Sequence, residues 1–317
     1  MSTEIGSQAL GGPTGEPVVS VRGLQMTYGP RDVLTGVDFD VHAGEVVCLL
    51  GPNGAGKTTT IEILEGFRLR SGGEVRVLGE DPAQAGDAWR ARVGVVLQSW
   101  RDHARWTPRR LLEQLGGYFV AYSTPERTRP YEVDWLLDTV GLVEHADRKI
   151  GQLSGGQRRR LDVAVGIIGR PELLFLDEPT AGFDPQARRD FHDLVHRLSD
   201  LEGTSILLTT HDLAEAERLA DRMLILADGH IVANGSAEAL TRQVAGNAEV
   251  RWTRKGERFV HATEDATPFV RRLFEQHGEE IEDLEVRRAS LEDTYIAMVA
   301  TFESGARRTP TLAEVSR

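Results

Sequence analysis

A doubly wound α/β core with a helical insertion, an antiparallel β subdomain and a small C-terminal α+β domain is predicted by three observations. Short apolar runs at Glu45–Leu50, Leu173–Leu176 and Ser205–Thr210 read as buried parallel strands. The first leads into Gly51-Pro52-Asn53-Gly54-Ala55-Gly56-Lys57-Thr58-Thr59, which fits G-x-x-x-x-G-K-[ST] and is followed by apolar residues at helical spacing up to Glu65. From Thr107 to about Gly169 the pattern turns mostly helical, as an insertion between strands of such a core would.

The composition bounds the answer. With 317 residues the chain holds one large domain plus a small one. A formal charge of -12 and a pI near 5.3 argue against a nucleic-acid partner, which calls for a basic surface. No apolar run approaches the ~18–20 residues that span a bilayer, and no signal-peptide pattern opens the chain. A cytosolic protein is therefore expected, reaching any membrane only through a partner. Cys48 is the single cysteine and lies in the strand before the glycine-rich loop, where packing is its expected role.

Taken in order, Met1 to Pro17 is rich in Gly, Ser, Thr and Pro and reads as a disordered tail. Val18 to Tyr28 reads as a strand, and Val37, Phe39 and Val41 alternate as in a half-buried antiparallel strand, with Gly29-Pro30 turning between the two. Glu74–Leu78 and Val93–Leu97 read as strands, followed by helical patterns over Pro108–Tyr122, Asp134–Val140 and Gln157–Ile168. Met223–Leu226 and His230–Ala233 form a hairpin around Asp228-Gly229. After a link at Val244–Asn247, strands at Glu249–Thr253, Arg258–Ala262 and Ile281–Val286 alternate with helices at Pro268–His277 and Leu291–Phe302. This organises the chain as a tail over 1–17, a main domain over 18–243 with its helical part at about 99–169, a small domain over 248–303 and a loose end over 304–317.

The chemistry gathers where the predicted strands end, because ligands of doubly wound sheets bind beyond the carboxyl ends of the strands. Glycines let backbone N–H groups converge on phosphate oxygens, and the following helix N-terminus adds partial positive charge. Lys57 reaches β- and γ-phosphates and the Thr58 hydroxyl ligates Mg²⁺. Asp177, after an apolar run, is the expected Mg²⁺ partner, and Glu178 stands next to it to orient or deprotonate a water. Gln98 and His211 end two further strands and are placed to sense the γ-phosphate. Tyr28 either stacks on a base or packs within its strand. A second anion site opens a helix at Leu153-Ser154-Gly155-Gly156-Gln157, where a serine cap and two glycines leave N–H groups aimed outward. A single chain cannot easily wrap one nucleotide with both loops, whereas a head-to-tail pair of chains can. Arg158, Arg159 and Arg160 follow and read as a solvated or interface face.

This set of motifs resembles the ATP-binding cassette (ABC) ATPases: the phosphate loop, Gln98, Leu153–Gln157, Leu173–Glu178, Ala181-Gly182-Phe183-Asp184 and His211 occur in that family's order. The resemblance implies a P-loop ABC ATPase core, the cofactors ATP and Mg²⁺, and ATP hydrolysis coupled to transmembrane transport. It implies that Tyr28 stacks on adenine, that Gly51, Pro52, Asn53, Gly54, Ala55, Gly56, Lys57, Thr58 and Thr59 hold the phosphates, and that Thr58, Gln98 and Asp177 serve the metal. Glu178 would be the catalytic base, His211 the γ-phosphate switch, and Gln98 the start of a loop that meets the membrane partner. Ser154, Gly155, Gly156 and Gln157 would meet the ATP of an opposite subunit, with Asp184 in the turn that crosses the interface. Phe183 stands where the family usually carries leucine. The aromatic and basic stretch Ser99–Trp106 is expected to face the permease.

The partners so implied are a second copy or a paralogous ATPase and a separately encoded transmembrane permease, with the chain peripheral on the cytoplasmic face of the membrane. Ile281 to Ile296, which includes Arg287-Arg288-Ala289-Ser290-Leu291-Glu292-Asp293-Thr294-Tyr295, resembles the tail of daunorubicin-resistance exporter ATPases, with lipid- and oligosaccharide-exporting groups close by. Drug or lipid-like efflux is the expectation that follows. A soluble cassette acting on ribosomes or nucleic acid fits less well, because the chain has one motif set, no heptads and an acidic balance. A simple P-loop kinase leaves Leu153–Gln157 and His211 unexplained.

Overall fold

The computed structural model describes residues 16–96, 103–180, 183–200, 202–244, 248–263 and 265–287, together with 291, 292, 295, 296 and 299. The expected N-terminal tail, apart from Glu16 and Pro17, and the C-terminal end lie outside them. Strands β1 (Val19–Tyr28), β2 (Arg31–Val41) and β4 (Gly72–Val77) make an antiparallel sheet in the order β2-β1-β4. The central sheet has six strands in the order β5-β6-β7-β3-β8-β9, from β3 (Val46–Leu50), β5 (Val93–Val96), β6 (Leu173–Asp177), β7 (Ser205–Thr209), β8 (Arg222–Ala227) and β9 (His230–Gly235). Its pairs are parallel except the β8–β9 hairpin.

Period-two alternation explains how the layers assemble. Along β3, Val46, Cys48 and Leu50 join one core while Val47 and Leu49 join another. Leu174 and Leu176 of β6, Ile206 and Leu208 of β7, and Met223 and Ile225 of β8 share the first core. Leu173, Phe175, Leu207, Leu224 and Leu226 share the second. Successive side chains of a strand point to opposite faces, so an unbroken apolar run is what a sheet covered on both sides requires. The antiparallel sheet and helix α1 (Lys57–Leu64) cover one face. Helices α3 (Pro108–Phe119), α4 (Val133–Thr139), α5 (Gly155–Ile167), α6 (Pro185–Asp200), α7 (Leu213–Leu219) and α8 (Ala237–Val244) contribute to the other, and a short α2 (Asp87–Arg90) tucks Trp89 into the first side. Cys48 is fully buried, and burial pushes its thiol pKa well up, which suits the packing role expected of it.

Three helices had a readable signal that the sequence analysis passed over. Ala187, Phe191, Leu194, Val195 and Leu198 fall on one buried face of α6 at helical spacing. Asp212 caps α7 by accepting from the Glu215 backbone N–H, and α8 follows β9 within two residues. Near the C-terminus, β10 (Ala248–Arg254), β11 (Glu257–Thr263) and β12 (Ile281–Arg287) form a sheet in the order β11-β10-β12, against which α9 (Ala266–His277) packs Phe269 and Val270 beside Val250. Leu291 and Val299 are buried with the main core rather than with this small one, so the last described residues tie back to the larger layers. Among the described residues no helix is long and apolar enough to cross a membrane.

Phe175 is the largest fully buried side chain and sits two residues before Asp177. Phe175→Ala is expected to lower unfolding free energy by about 3–5 kcal/mol in a denaturant titration. A loss under about 1 kcal/mol would mean that this face of β6 is not packed as described.

Candidate active site

The glycine-rich loop leaves β3 and enters α1 at the centre of the sheet. Two of its glycines are required by geometry. A Cβ on Gly51 would stand 2.3 Å from the Leu226 carbonyl oxygen, and one on Gly56 would meet Leu34 Cδ2 at 2.6 Å, with Gly56 already at φ +106°. Close backbone approach needs hydrogen at Gly51, whereas at Gly56 it is the left-handed φ that favours glycine. Lys57 curls into the loop it closes: its Nζ donates to the carbonyls of Gly51 at 2.8 Å and Pro52 at 3.1 Å. Burial lowers its pKa, opposed by the nearby carboxylates of Glu178 and Asp177.

A cleft of about 430 Å³ opens over this loop, and Tyr28, Gly54, Gly56, Lys57, Thr58, Thr59 and Glu178 line it together. Tyr28 ends β1 with 39% exposure, enough ring to take a base. The Arg68 guanidinium, itself paired with Glu62 at 2.6 Å, lies 5.2 Å over the same ring. Arg31 also lines the cleft and continues into a second hollow beside Pro52–Ala55, bordered by Asp228, Gly229 and His230. Arg31 was not among the expected site residues, although its place just after the Gly29-Pro30 turn puts it opposite Tyr28 at the strand end.

The two carboxylates at the end of β6 are held differently. Asp177 Oδ1 accepts from Thr209 Oγ1 at 2.5 Å, and of the two carboxylates only Glu178 lines the cleft. Glu178 adopts φ +45°, a left-handed conformation that costs a non-glycine residue about 1–3 kcal/mol. Its backbone N–H is anchored to the Thr209 carbonyl and hydroxyl, both at 3.1 Å. Glu178 Oε1 lies 3.2 Å from His211 Nδ1 at the end of the neighbouring β7. The expectation for Arg159 fails: it is buried, and its guanidinium donates to the carbonyls of Pro179 (2.9 Å), Asp177 (3.1 Å) and Glu178 (3.3 Å). Its neighbours in the charge run stay part-exposed, Arg160 paired with Asp190 at 3.1 Å and Arg158 lying 3.4 Å from Asp162, so the expectation of a solvated or interface face fails at Arg159 alone.

Ser154 caps α5, accepting from the Gln157 N–H while Gln157 Oε1 accepts from the Ser154 N–H, a reciprocal capping box. A Cβ on Gly155 or Gly156 would meet nothing within 4 Å, so that helix start faces open space. Neither glycine nor Ser154 lines the cleft over the phosphate loop. Asp184 is likewise not in that cleft: its carboxylate caps α6, accepting from Gln186 and Ala187 N–H groups, which lower its pKa. Phe183 is buried with its ring edge-on to Phe191 at 6.0 Å, so the larger ring is accommodated by packing. Gln98, Ala181 and Gly182 lie outside the described residues, as do residues 99–102 of the stretch Ser99–Trp106; Trp106 itself packs partly against the core under the Arg110 guanidinium.

The donors present suit a hard cation: a threonine hydroxyl and an aspartate carboxylate, with no cluster of three or more His, Cys, Asp or Glu among the described residues. Mg²⁺ is commonly bound by one or two such groups plus the phosphates of a nucleotide. Behind them, Glu65 at the end of α1 is buried, and burial, with Asp177 and Glu62 adding to it, pushes its pKa from 4.5 to about 8. A carboxyl whose folded pKa exceeds its unfolded one keeps more protons when folded, so ionisation destabilises it increasingly as pH rises from 4.5 towards 8. Glu65→Gln is expected to raise the melting temperature relative to the parent at about pH 8 and to lose that advantage near pH 5. An offset that does not change with pH would contradict this environment.

With this geometry in hand, comparison with known proteins identifies the family. A family model described as ABC transporter matches residues 34–181. The daunorubicin resistance ATP-binding protein DrrA2 of Streptomyces coeruleorubidus is 35% identical, aligned over 88% of this chain and 94% of its own. The Nod factor export ATP-binding protein I of Ralstonia nicotianae is 41% identical over 72% of this chain and 70% of its own. Among solved structures, an ATP-binding subunit of an ABC transporter superposes with a TM-score of 0.62 at 27% identity, over 71% of this chain and 92% of that one. A dimeric ATP-binding cassette in a post-hydrolysis state, bound to ADP and phosphate, gives 0.60 at 25%, over 69% and 98%. The chain belongs to the ABC transporter family, as an ATP-binding and ATP-hydrolysing subunit.

Proposed function

We propose that this subunit pairs with a second copy or a paralogous ATPase around two ATP molecules and drives a separately encoded permease that expels a drug- or lipid-like substrate. Similarity to daunorubicin-resistance and Nod-factor-export proteins supports the export reading. In this reading residues 18–243 are the ATPase domain and 248–303 a C-terminal domain, and the protein sits on the cytoplasmic face of the membrane through its permease.

The observation that carries the chemistry is the meeting of Glu178 and His211, 3.2 Å apart, at the rim of the cleft that Lys57 and Thr58 line. Tyr28 stacks on adenine. The loop amides from Gly51 to Thr59 and the Lys57 ammonium hold the phosphates, a helix-terminus anion site reinforced by a point charge. Thr58, Asp177 and Gln98 hold Mg²⁺, which neutralises charge on the β- and γ-phosphates when bound. Glu178 takes the proton of the attacking water, and its backbone anchors at Thr209 keep the carboxylate facing the cleft. His211 holds the γ-phosphate and, through its contact with Glu178, links phosphate position to base position. The Ser154 hydroxyl and the N–H groups of Gly155 and Gly156, on the end of α5 whose cap Gln157 completes, close over the ATP of the other subunit, with Asp184 and its turn beside that contact.

Glu178→Gln removes the base while keeping its shape. ATP turnover is expected to fall by about 100-fold or more, while incubation with ATP and Mg²⁺ accumulates a dimer on size-exclusion chromatography. Full turnover in this variant would remove Glu178 from the role of base.

A further inference from the structure

The turn after β6 and the turn after β7 carry the two groups that must face one phosphate, yet they come from separate strands. Beyond the bonds from Thr209 to Asp177 and Glu178, one more buried side chain joins them. Glu215, in the first turn of α7, is 3% exposed, and each of its carboxylate oxygens accepts one threonine hydroxyl. Thr180 Oγ1 donates to Oε1 at 2.6 Å, and Thr210 Oγ1 donates to Oε2 at 2.6 Å. Thr180 lies two residues beyond Glu178, and Thr210 immediately precedes His211. Both threonines are buried, at 4% and 2% exposure.

The local chain fixes this carboxylate firmly. The Glu215 N–H is capped by Asp212 Oδ1 at 3.1 Å, and the Asp212 N–H donates to Thr210 Oγ1 at 3.0 Å, so the threonine hydroxyl both gives and receives. His192 of α6, also buried, closes the remaining side with Nε2 at 4.0 Å from Oε1. A carboxylate withdrawn from water is tolerated only when its oxygens are hydrogen-bonded, and hydroxyl-to-carboxylate bonds of this length are the strong, charge-assisted kind. Neither threonine can leave without abandoning a buried charge. With the strand pairing and Thr209 fixing the two strand ends, the span of one carboxylate sets how far apart Thr180 and Thr210 lie beyond them.

We propose that Glu215 is a positioning residue for ATP hydrolysis: by bridging Thr180 and Thr210 it holds the Glu178 turn and the His211 turn at the spacing the γ-phosphate requires. The proposal rests on the roles given above to Glu178 and His211. It predicts a defect in the chemical step rather than in nucleotide binding, because the residues that hold ATP in the cleft do not touch Glu215.

The test compares Glu215→Gln, Thr180→Val and Thr210→Val in the full chain, measuring ATP turnover, KM for ATP and melting temperature. Gln keeps the volume but reverses one bond, and each valine deletes one hydroxyl at nearly constant size. The expected result is a kcat lowered by about 10- to 100-fold, the scale of a small misplacement of catalytic groups, with KM close to the parent's and a melting temperature that falls in the valine variants, where a buried carboxylate oxygen loses its donor. A kcat within twofold of the parent in a well-folded Glu215→Gln would overturn the proposal, as would a rise in KM with kcat unchanged. If Glu215→Gln fails to fold, Thr210→Val decides by the same criteria. Glu178→Gln and His211→Ala, run alongside, separate two failures. Full activity in those variants sinks the site assignment, whereas their inactivity beside a fully active Glu215→Gln sinks only the bridge.

Discussion

Everything in this molecule converges on the carboxyl end of β6. Asp177, Glu178 and Pro179 present three carbonyls in a row to one buried guanidinium, that of Arg159 on α5. From the sheet side Thr209 grips Asp177 through its hydroxyl and Glu178 through its carbonyl and hydroxyl. Glu215 of α7 takes the next residue but one, Thr180. A strained left-handed residue persists only where its surroundings over-determine it, and Glu178 is fixed from three separate elements.

That arrangement gives the helical part of the chain a mechanical connection to the chemistry. Helix α5 starts at Ser154 and its open glycines, and five residues later sends Arg159 into the β6 turn. A ligand that engages the helix start therefore pulls on an element bonded directly to the backbone of Asp177 and Glu178. Pulling Arg159 away would break its bonds to one buried and two part-buried carbonyls, and a buried group left without its partner costs about 1–3 kcal/mol, so α5 is tied to the turn.

How much of this was legible in the sequence follows from how local each signal is. The phosphate loop, the carboxylates at the end of β6 and His211 were readable because each closes an unbroken apolar run, and a sheet buried on both faces leaves no other assignment for such runs. Ser154 as a cap was readable because Gln157 completes the box three residues on. Arg159 was misread because its acceptors are carbonyls at Asp177 to Pro179, invisible to any scan of side-chain types, so a run of three arginines looked like a solvated face. Glu215 was passed over for a similar reason: its partners are threonines, ordinary strand-end residues, and nothing in the local pattern marks a glutamate on a short helix as buried. Glu65 and Arg31 need the tertiary fold to acquire their surroundings.

The central claim is that one ATP is held by the phosphate loop of one chain and the Ser154 helix start of another, since the two do not share a cleft within a single chain. The most direct measurement mixes a Lys57→Ala copy with a Gly156→Asp copy, each inactive alone, and records ATP turnover of the mixture. A site shared across chains predicts restored turnover, because the mixed pair contains one loop and one helix start that are both intact and face each other. A mixture no more active than the sum of its parts would contradict the account.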